Sequence, residues 1–147
     1  MTTLLQMIQS LIQLATPFNL ILLLVSTCGG ILIGALPGLS ATMGIALLAG
    51  LTYTMPQDMA MIVLIGIYVG GIYGGSISAT LIGIPGTGSA AATTLDGYPL
   101  AKQGLGREAL STVTIASFIG TLIGMVFLAF LTPTLQDVAL MFASHEF

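Results

Sequence analysis

Two short elements of this chain carry residue types from which an uncharged binding site can be built. Gly34-Ala-Leu-Pro37-Gly38-Leu-Ser40-Ala-Thr42 is answered by Gly83-Ile-Pro85-Gly86-Thr87-Gly88-Ser89. Each puts a Pro-Gly break at the end of an apolar run and follows it with hydroxyl and small residues. Such a break frees backbone N–H and C=O groups, which at membrane depth are tolerated only where protein or a water-filled cavity satisfies them. N–H groups that open the following helix attract an anion, and freed carbonyls with Ser or Thr hydroxyls suit a bare Na+. Neither needs a charged side chain. Plain surface turns would also account for Pro-Gly pairs, but the position of both inside long uncharged runs favours a solute or ion site.

Other chemistry finds less support. Gly86-Thr-Gly88-Ser-Ala-Ala91 fits the dinucleotide pattern GxGxxG/A, and Glu108 follows about twenty residues on, yet the pattern needs a short strand before it and here follows a long apolar helix. The only histidine is His145, and no carboxylate lies within an apolar span. A hydrolase built on Gly75-Ser76 would need a base beside the serine, and none is available. Asp58 and Asp137 flank spans, where solvated or capping carboxylates are expected. Cys28 is the only cysteine, so an internal disulfide is excluded and a buried structural thiol is expected. The preceding LLLVST resembles a lipidation site only faintly, given Thr27 and the lack of a basic start. The scattered methionines read as packing residues.

The elements that position the two breaks follow from composition. Of 147 residues, 56% are apolar and 5% charged, against about 25% charged in a soluble domain. The charges are absent before Asp58, from 59 to 95 and from 109 to 136. A water-facing surface cannot be made from this inventory, whereas lipid tolerates the gaps. Both basic residues, Lys102 and Arg107, share one polar segment with Asp96 and Glu108, which argues against a nucleic-acid footprint. No basic n-region opens a secretory signal.

Residues 2 to 15 read as a helix with Gln6, Gln9, Ser10 and Gln13 on one stripe, closed by Pro17 and lying either on the membrane surface or against a neighbouring helix. Apolar segments follow at about 18–36, 39–51, 59–82 and 110–131. The first is about 28 Å as helix and can span a core of about 30 Å, while 39–51 reaches only about 20 Å. Segment 59–82 is long enough to span, and Gly66/Gly70, Gly70/Gly74 and Gly71/Gly75 form small-xxx-small pairs that favour close packing. They also weaken a helix, so a break near Gly74 and Gly75 is expected. Residues 85–108 read as a polar loop, and Pro133 as the end of the last span, before a short segment with Asp137, His145 and Glu146. Lys102 and Arg107 place that loop in the cytoplasm, with 59–82 running inward and 110–131 outward. The side of residue 1 depends on whether 39–51 re-enters or crosses, and the path of 74–98 is open in the same sense.

The stretches GILIGALPGLSATMGIALL at 30–48, GIYVGGIYGGSISATLIGIPGTGSAAATTLDGYPLAKQG at 66–104 and ASFIGTLIG at 116–124 resemble the large membrane subunit (TctA type) of tripartite tricarboxylate transporters. The resemblance implies an all-α integral membrane fold of transmembrane helices with Pro-Gly-broken or re-entrant segments, one half of a repeat-built transporter. It also implies a secondary transporter of the bacterial inner membrane that imports carboxylates such as citrate. No cofactor is implied; a cation gradient, Na+ or H+, would drive uptake. The partners implied are a small membrane subunit and a periplasmic solute-binding protein. Carried over, Pro37, Gly38, Ser40, Thr42, Gly74, Gly75, Ser76, Ser78, Pro85, Gly86, Thr87, Gly88 and Ser89 would line the substrate and ion region. Asp96, Gly97, Tyr98, Pro99 and Lys102 would form a signature loop that acts by positioning. Family members commonly carry Asn where this chain has Gly83, which bears on the substrate. The family's subunit is several times longer, so residues 1–147 resemble its N-terminal transmembrane portion, a fragment supplying part of a site shared between repeats. The rival expectation is a small non-transporting membrane protein that assembles through GxxxG faces at Gly30/Gly34 and Gly120/Gly124.

Overall fold

The computed structural model describes residues 14–143. It is an all-α membrane protein: five helices and no strand among the described residues, with three stretches, Pro17–Ala35, Gln57–Ile82 and Ala91–Thr132, long and apolar enough to cross a bilayer. The described chain forms two compact units that divide between Leu110 and Ser111.

In the first unit, α1 (Pro17–Ala35) starts where Thr16 is extended and Pro17 takes the first helical position, a place where a proline forfeits no helical hydrogen bond. The helix expected over residues 2–15 lies, but for residues 14 and 15, outside the described residues. Ser40, half-buried, caps α2 (Ala41–Thr52) by accepting the Met43 N–H at 3.3 Å. The next helix, α3 (Gln57–Ile82), carries Asp58 in its first turn, where a carboxylate meets the positive end of the helix dipole. It runs unbroken through Gly74 and Gly75. The expected break is absent because these glycines are filled by neighbours, Ile31 and Ala35 of α1 against Gly74 and Thr87 against Gly75.

Glycine sets how α1 and α3 meet. A Cβ on Gly34 would overlap the Gly71 carbonyl and stand 2.7 Å from the Gly71 Cα; one on Gly30 would stand 2.8 Å from the Ile67 Cα. From the other side, a Cβ on Gly70 would overlap the Thr27 carbonyl, and one on Gly74 that of Ile31. The two backbones therefore touch with no side chain between them, and dispersion and Cα–H···O contact replace the hydrophobic drive that lipid does not supply. Because Ser26 faces Gly66, Thr27 and Ile31 flank Gly70, and Ala35 faces Gly74, the two helices run parallel. Helix α2 runs the other way: Ala41 lies on Gly71, and Gly44 lies between Ile33 and Ile67. Its twelve residues span about 18 Å.

Cys28 is exposed, contrary to the buried thiol expected. The face of α1 that meets α3 is taken by Ser26, Gly30 and Gly34, and Cys28 lies about 160° to 200° round the helix from Ser26 and Gly30.

The segment 85–108 is mostly helix rather than loop. After the turn 83–90 come α4 (Ala91–Leu100), a kinked connection (Ala101–Leu105) and the start of α5 (Gly106–Ala143). Pro99 lies inside α4 and Gly104 has φ +85°. These are the residues that read as loop: α4 continues past Pro99, with the Ala101 N–H shared between the Gly97 and Tyr98 carbonyls, and the chain kinks at Gly104 in the left-handed region.

The second unit contains α5 from Ser111 onward. Its apolar residues are exposed, Phe118, Met125, Phe127, Leu128 and Phe130 among them, as expected of a helix solvated by lipid. The helix continues past residue 133 to Ala143. A proline there gives up one hydrogen bond, to the carbonyl of residue 129, whereas ending the helix in an apolar medium would release four carbonyls. His145 and Glu146 lie outside the described residues, as do the side-chain surroundings of Asp137.

Candidate substrate and ion site

The second Pro-Gly break folds back on the helix it terminates. Gly83 closes α3 in the left-handed region, φ +77°, and its N–H donates to the Ala79 carbonyl at 3.2 Å, a common helix ending for glycine. The chain then reverses, so that the Gly86 N–H approaches the Gly75 carbonyl at 3.5 Å. A Cβ on Gly86 would overlap the Gly34 carbonyl and lie 3.0 Å from the Gly75 Cα and 3.2 Å from the Ser78 Oγ. A Cβ on Gly75 would in turn meet Thr87 Oγ1 at 2.8 Å. Gly86 thus sits on the last turn of α1, three residues before Pro37. The two breaks, 48 positions apart in sequence, are gathered at one end of the α1–α3 pair.

The hydroxyls fall into two groups. Ser76, Ser78 and Thr80 are buried and each donates to its own helix, to the carbonyls of Ile72 (3.5 Å), Gly75 (3.0 Å) and Ser76 (2.8 Å). Such back-bonding removes a donor from an apolar interior and leaves oxygen lone pairs. Ser40 and Thr42 after the first break share a hydrogen bond of 2.6 Å, and Thr87 and Ser89 after the second share one of 3.2 Å. The sequence echo is therefore an echo in structure, a Pro-Gly bend followed by a linked pair of hydroxyls. Pro37, Gly38, Thr42, Pro85, Gly88 and Ser89 are exposed, Gly86 and Thr87 half-buried, and Gly74, Gly75, Ser76 and Ser78 buried. Of the last four, Gly75 and Ser78 form the wall against which the break rests, whereas Gly74 packs on Ile31 and Ala35 of α1 and Ser76 bonds back to Ile72; the exposed residues form the open side.

At the end of α1 a continued helix would give the Leu39 N–H to the Ala35 carbonyl, but Leu39 donates to Leu36 at 3.1 Å, while Leu36 donates at 3.2 Å to Ile33, the carbonyl that Pro37 with no N–H cannot serve. Among the described residues no group of three His, Cys, Asp or Glu could hold a metal ion. The oxygen chemistry available near the breaks is that of carbonyls and hydroxyls, suited to a hard monovalent cation or, through N–H groups, to a carboxylate.

Sequence patterns and relatives bear on what this arrangement serves. The family described as Tripartite tricarboxylate transporter TctA matches residues 20–147. The chain belongs to that family. This TctA-family chain is also 40% identical over 132 residues to an uncharacterized 52.8 kDa protein in the TAR-I ttuC' 3' region of Agrobacterium vitis. The match takes in 90% of the chain and 26% of the relative, so the TctA-family chain spans about a quarter of the curated relative's length. No solved structure matches it.

The signature residues hold the end of α3. Gly97 is buried, and a Cβ on it would stand 3.1 Å from Thr80 Oγ1. The Tyr98 ring lies on Gly83, where a Cβ would meet ring carbons at 2.8 to 3.0 Å, and Lys102 Nζ stands 4.6 Å from the ring centroid. Asp96, Pro99 and Lys102 are exposed. The reading from sequence missed that this motif is helical and packed on Thr80 and Gly83. Its one available signal was the placing of Gly97 beside Tyr98, a small residue that lets a helix approach closely followed by a large one that fills a groove.

Proposed function

We propose that the chain is part of the large membrane subunit of a tripartite tricarboxylate transporter, a secondary importer of the bacterial inner membrane. It takes a carboxylate such as citrate from a periplasmic solute-binding protein and works with a small membrane subunit. Uptake is driven by a gradient of Na+ or H+. The observation that carries this reading is the seating of Gly86 on the Gly34 carbonyl and on Gly75, which brings two hydroxyl-bearing helix breaks to one place without a charged side chain. Backbone groups freed at paired breaks are a means of holding ions and anionic solutes within a bilayer.

Packing also supports a topology. If α1 and α3 both cross, their parallel course means residues 36–56 return the chain across the membrane, with α2 as the short return helix. Lys102 and Arg107 follow the α4 residues packed on Thr80 and Gly83 at the C-terminal end of α3. The positive-inside rule then puts that end in the cytoplasm and Pro17 outside.

The test is uptake of labelled carboxylates by the full-length subunit with its binding protein. Gly86→Leu should abolish uptake while the protein still reaches the membrane, and Ser89→Leu should raise KM. Wild-type uptake by both variants would refute the site.

A further inference from the structure

We infer that Tyr98 is a positioning residue whose ring fixes the second Pro-Gly break, and that its ring carbons, not its hydroxyl, do so. The inference rests on the reading of residues 85–89 as part of the substrate and ion region. Three observations converge on it.

The first is the contact itself. Gly83 is the residue at which α3 stops and the chain turns, and its φ of +77° lies in the region L side chains avoid. The direction in which the chain leaves α3 is decided at this residue. The Tyr98 ring occupies the space beside its Cα, with three ring carbons within 3.0 Å of where a Cβ would stand.

The second is closure. Tyr98 on Gly83 joins the two ends of the segment 84–97, and Gly97 on Thr80 secures the same end one residue earlier. Inside the segment, the Gly86 N–H and the Thr87 side chain lie on Gly75. The break is thus pinned at its base by α4 and near its apex by α3. Exposed Gly88 and Ser89 lie between those two attachments. Loosening the base changes the path of the Pro85–Ser89 turn without removing any residue of the turn.

The third is the support of the ring. Lys102 Nζ lies 4.6 Å from its centroid, within the range in which an ammonium group is attracted to an aromatic face. Lys102 reaches back to Tyr98 across one helical turn, two residues before the kink at Gly104. The spacing Tyr98-Pro99-x-x-Lys102 therefore has a structural meaning: one helical turn brings lysine to the ring. Phenylalanine would keep both the packing on Gly83 and the cation–π contact.

The experiment uses the full-length subunit in membranes, with Cys28→Ser and Gly88→Cys introduced as a reporter. Gly88 suits this because it is exposed and a Cβ there would meet nothing within 4 Å. The labelling rate by a small maleimide without substrate reads the path of the break and needs no transport. Tyr98→Leu should change that rate about tenfold, Tyr98→Phe should leave it at the wild-type value, and Lys102→Met should fall between. In uptake assays Tyr98→Leu should raise KM more than it lowers kcat, and Tyr98→Phe should restore KM. Should Tyr98→Leu fail to accumulate, Tyr98→Met and Tyr98→Phe carry the same comparison. Equal labelling in the Leu, Met and Phe variants would overturn the inference, as would a Tyr98→Phe variant as impaired as Tyr98→Leu. A changed labelling rate with uptake kinetics untouched would leave the ring's hold on Gly83 standing and overturn its role in positioning a substrate site.

Discussion

Gly30-xxx-Gly34 on α1 and Gly120-xxx-Gly124 on α5 have the same spacing in equally apolar helices, and they meet opposite surroundings. A Cβ on Gly30 or Gly34 would run into the backbone of Ile67 or Gly71, whereas one on Gly120 or Gly124 would meet nothing within 4 Å among the described residues. The spacing alone therefore does not make an interface. The α1 pair is matched by Gly66, Gly70, Gly71 and Gly74 on α3, so two smooth faces meet and the backbones touch. The α5 pair has no such counterpart in its own unit. In lipid, where burying apolar surface gains little, this fit of backbone to backbone is what holds two helices together.

Three single substitutions and one second-site change separate the two cases. The largest effect is expected from Gly34→Leu, whose side chain has only the Gly71 backbone to displace; it should cost about 3 kcal/mol or more, read as a lowered unfolding temperature of the full-length subunit in detergent. Wild-type stability there would mean that α1 and α3 do not pack as described. Next, Gly71→Ala places a methyl 2.9 Å from the Ala41 Cβ and should cost about 1 to 2 kcal/mol. Ala41→Gly in the same chain should recover part of that loss, because it removes the Cβ while the Cα of residue 41, 3.0 Å from the added methyl, stays; no recovery would move α2 away from Gly71. Gly120→Ala should have the smallest effect and the opposite sign, a gain of up to about 1 kcal/mol from helix propensity. A loss of stability or of subunit assembly would show instead that a partner helix covers this pair.

The same contrast explains what could be read in advance. Apolar runs between Pro17, Pro37, Pro56 and Pro85 located the first three helices to within a few residues, since lipid imposes length and proline marks ends. The glycines of α3 misled in one respect: Gly74 and Gly75 weaken an isolated helix, but with Ile31, Ala35 and Thr87 packed on them the helix continues. Residues 91–105 escaped because Ala, Thr, Gly and Pro carry no periodic signal, and their helical form rests on contacts with Thr80 and Gly83 that are remote in sequence. Cys28 was placed inside on residue type alone, while its position around α1 turns it outward. For the site, the paired Pro-Gly elements were visible as a repeat. Their meeting was not, because it depends on the parallel course of α1 and α3 and on the reversal at Gly83.

That reversal also gives physical sense to the residue where the resemblance leads one to expect Asn. Glycine and asparagine are the two residues that most readily enter the left-handed conformation at the end of a helix. Gly83 therefore preserves the turn while omitting an amide. The consequence falls on what can touch a ligand rather than on the path of the chain.

The central claim is that the gathered breaks face a carboxylate, and it is tested most directly by substrate protection. In a Cys28→Ser background of the full-length subunit with its binding protein, Ser89→Cys would be labelled by a membrane-permeant maleimide across a panel of carboxylates, with Tyr53→Cys, on the exposed turn before α3, as the control. The account predicts that the transported carboxylate, with its coupling cation, slows labelling at position 89 and leaves position 53 unchanged. Unaltered labelling at 89 under conditions that saturate uptake would contradict it.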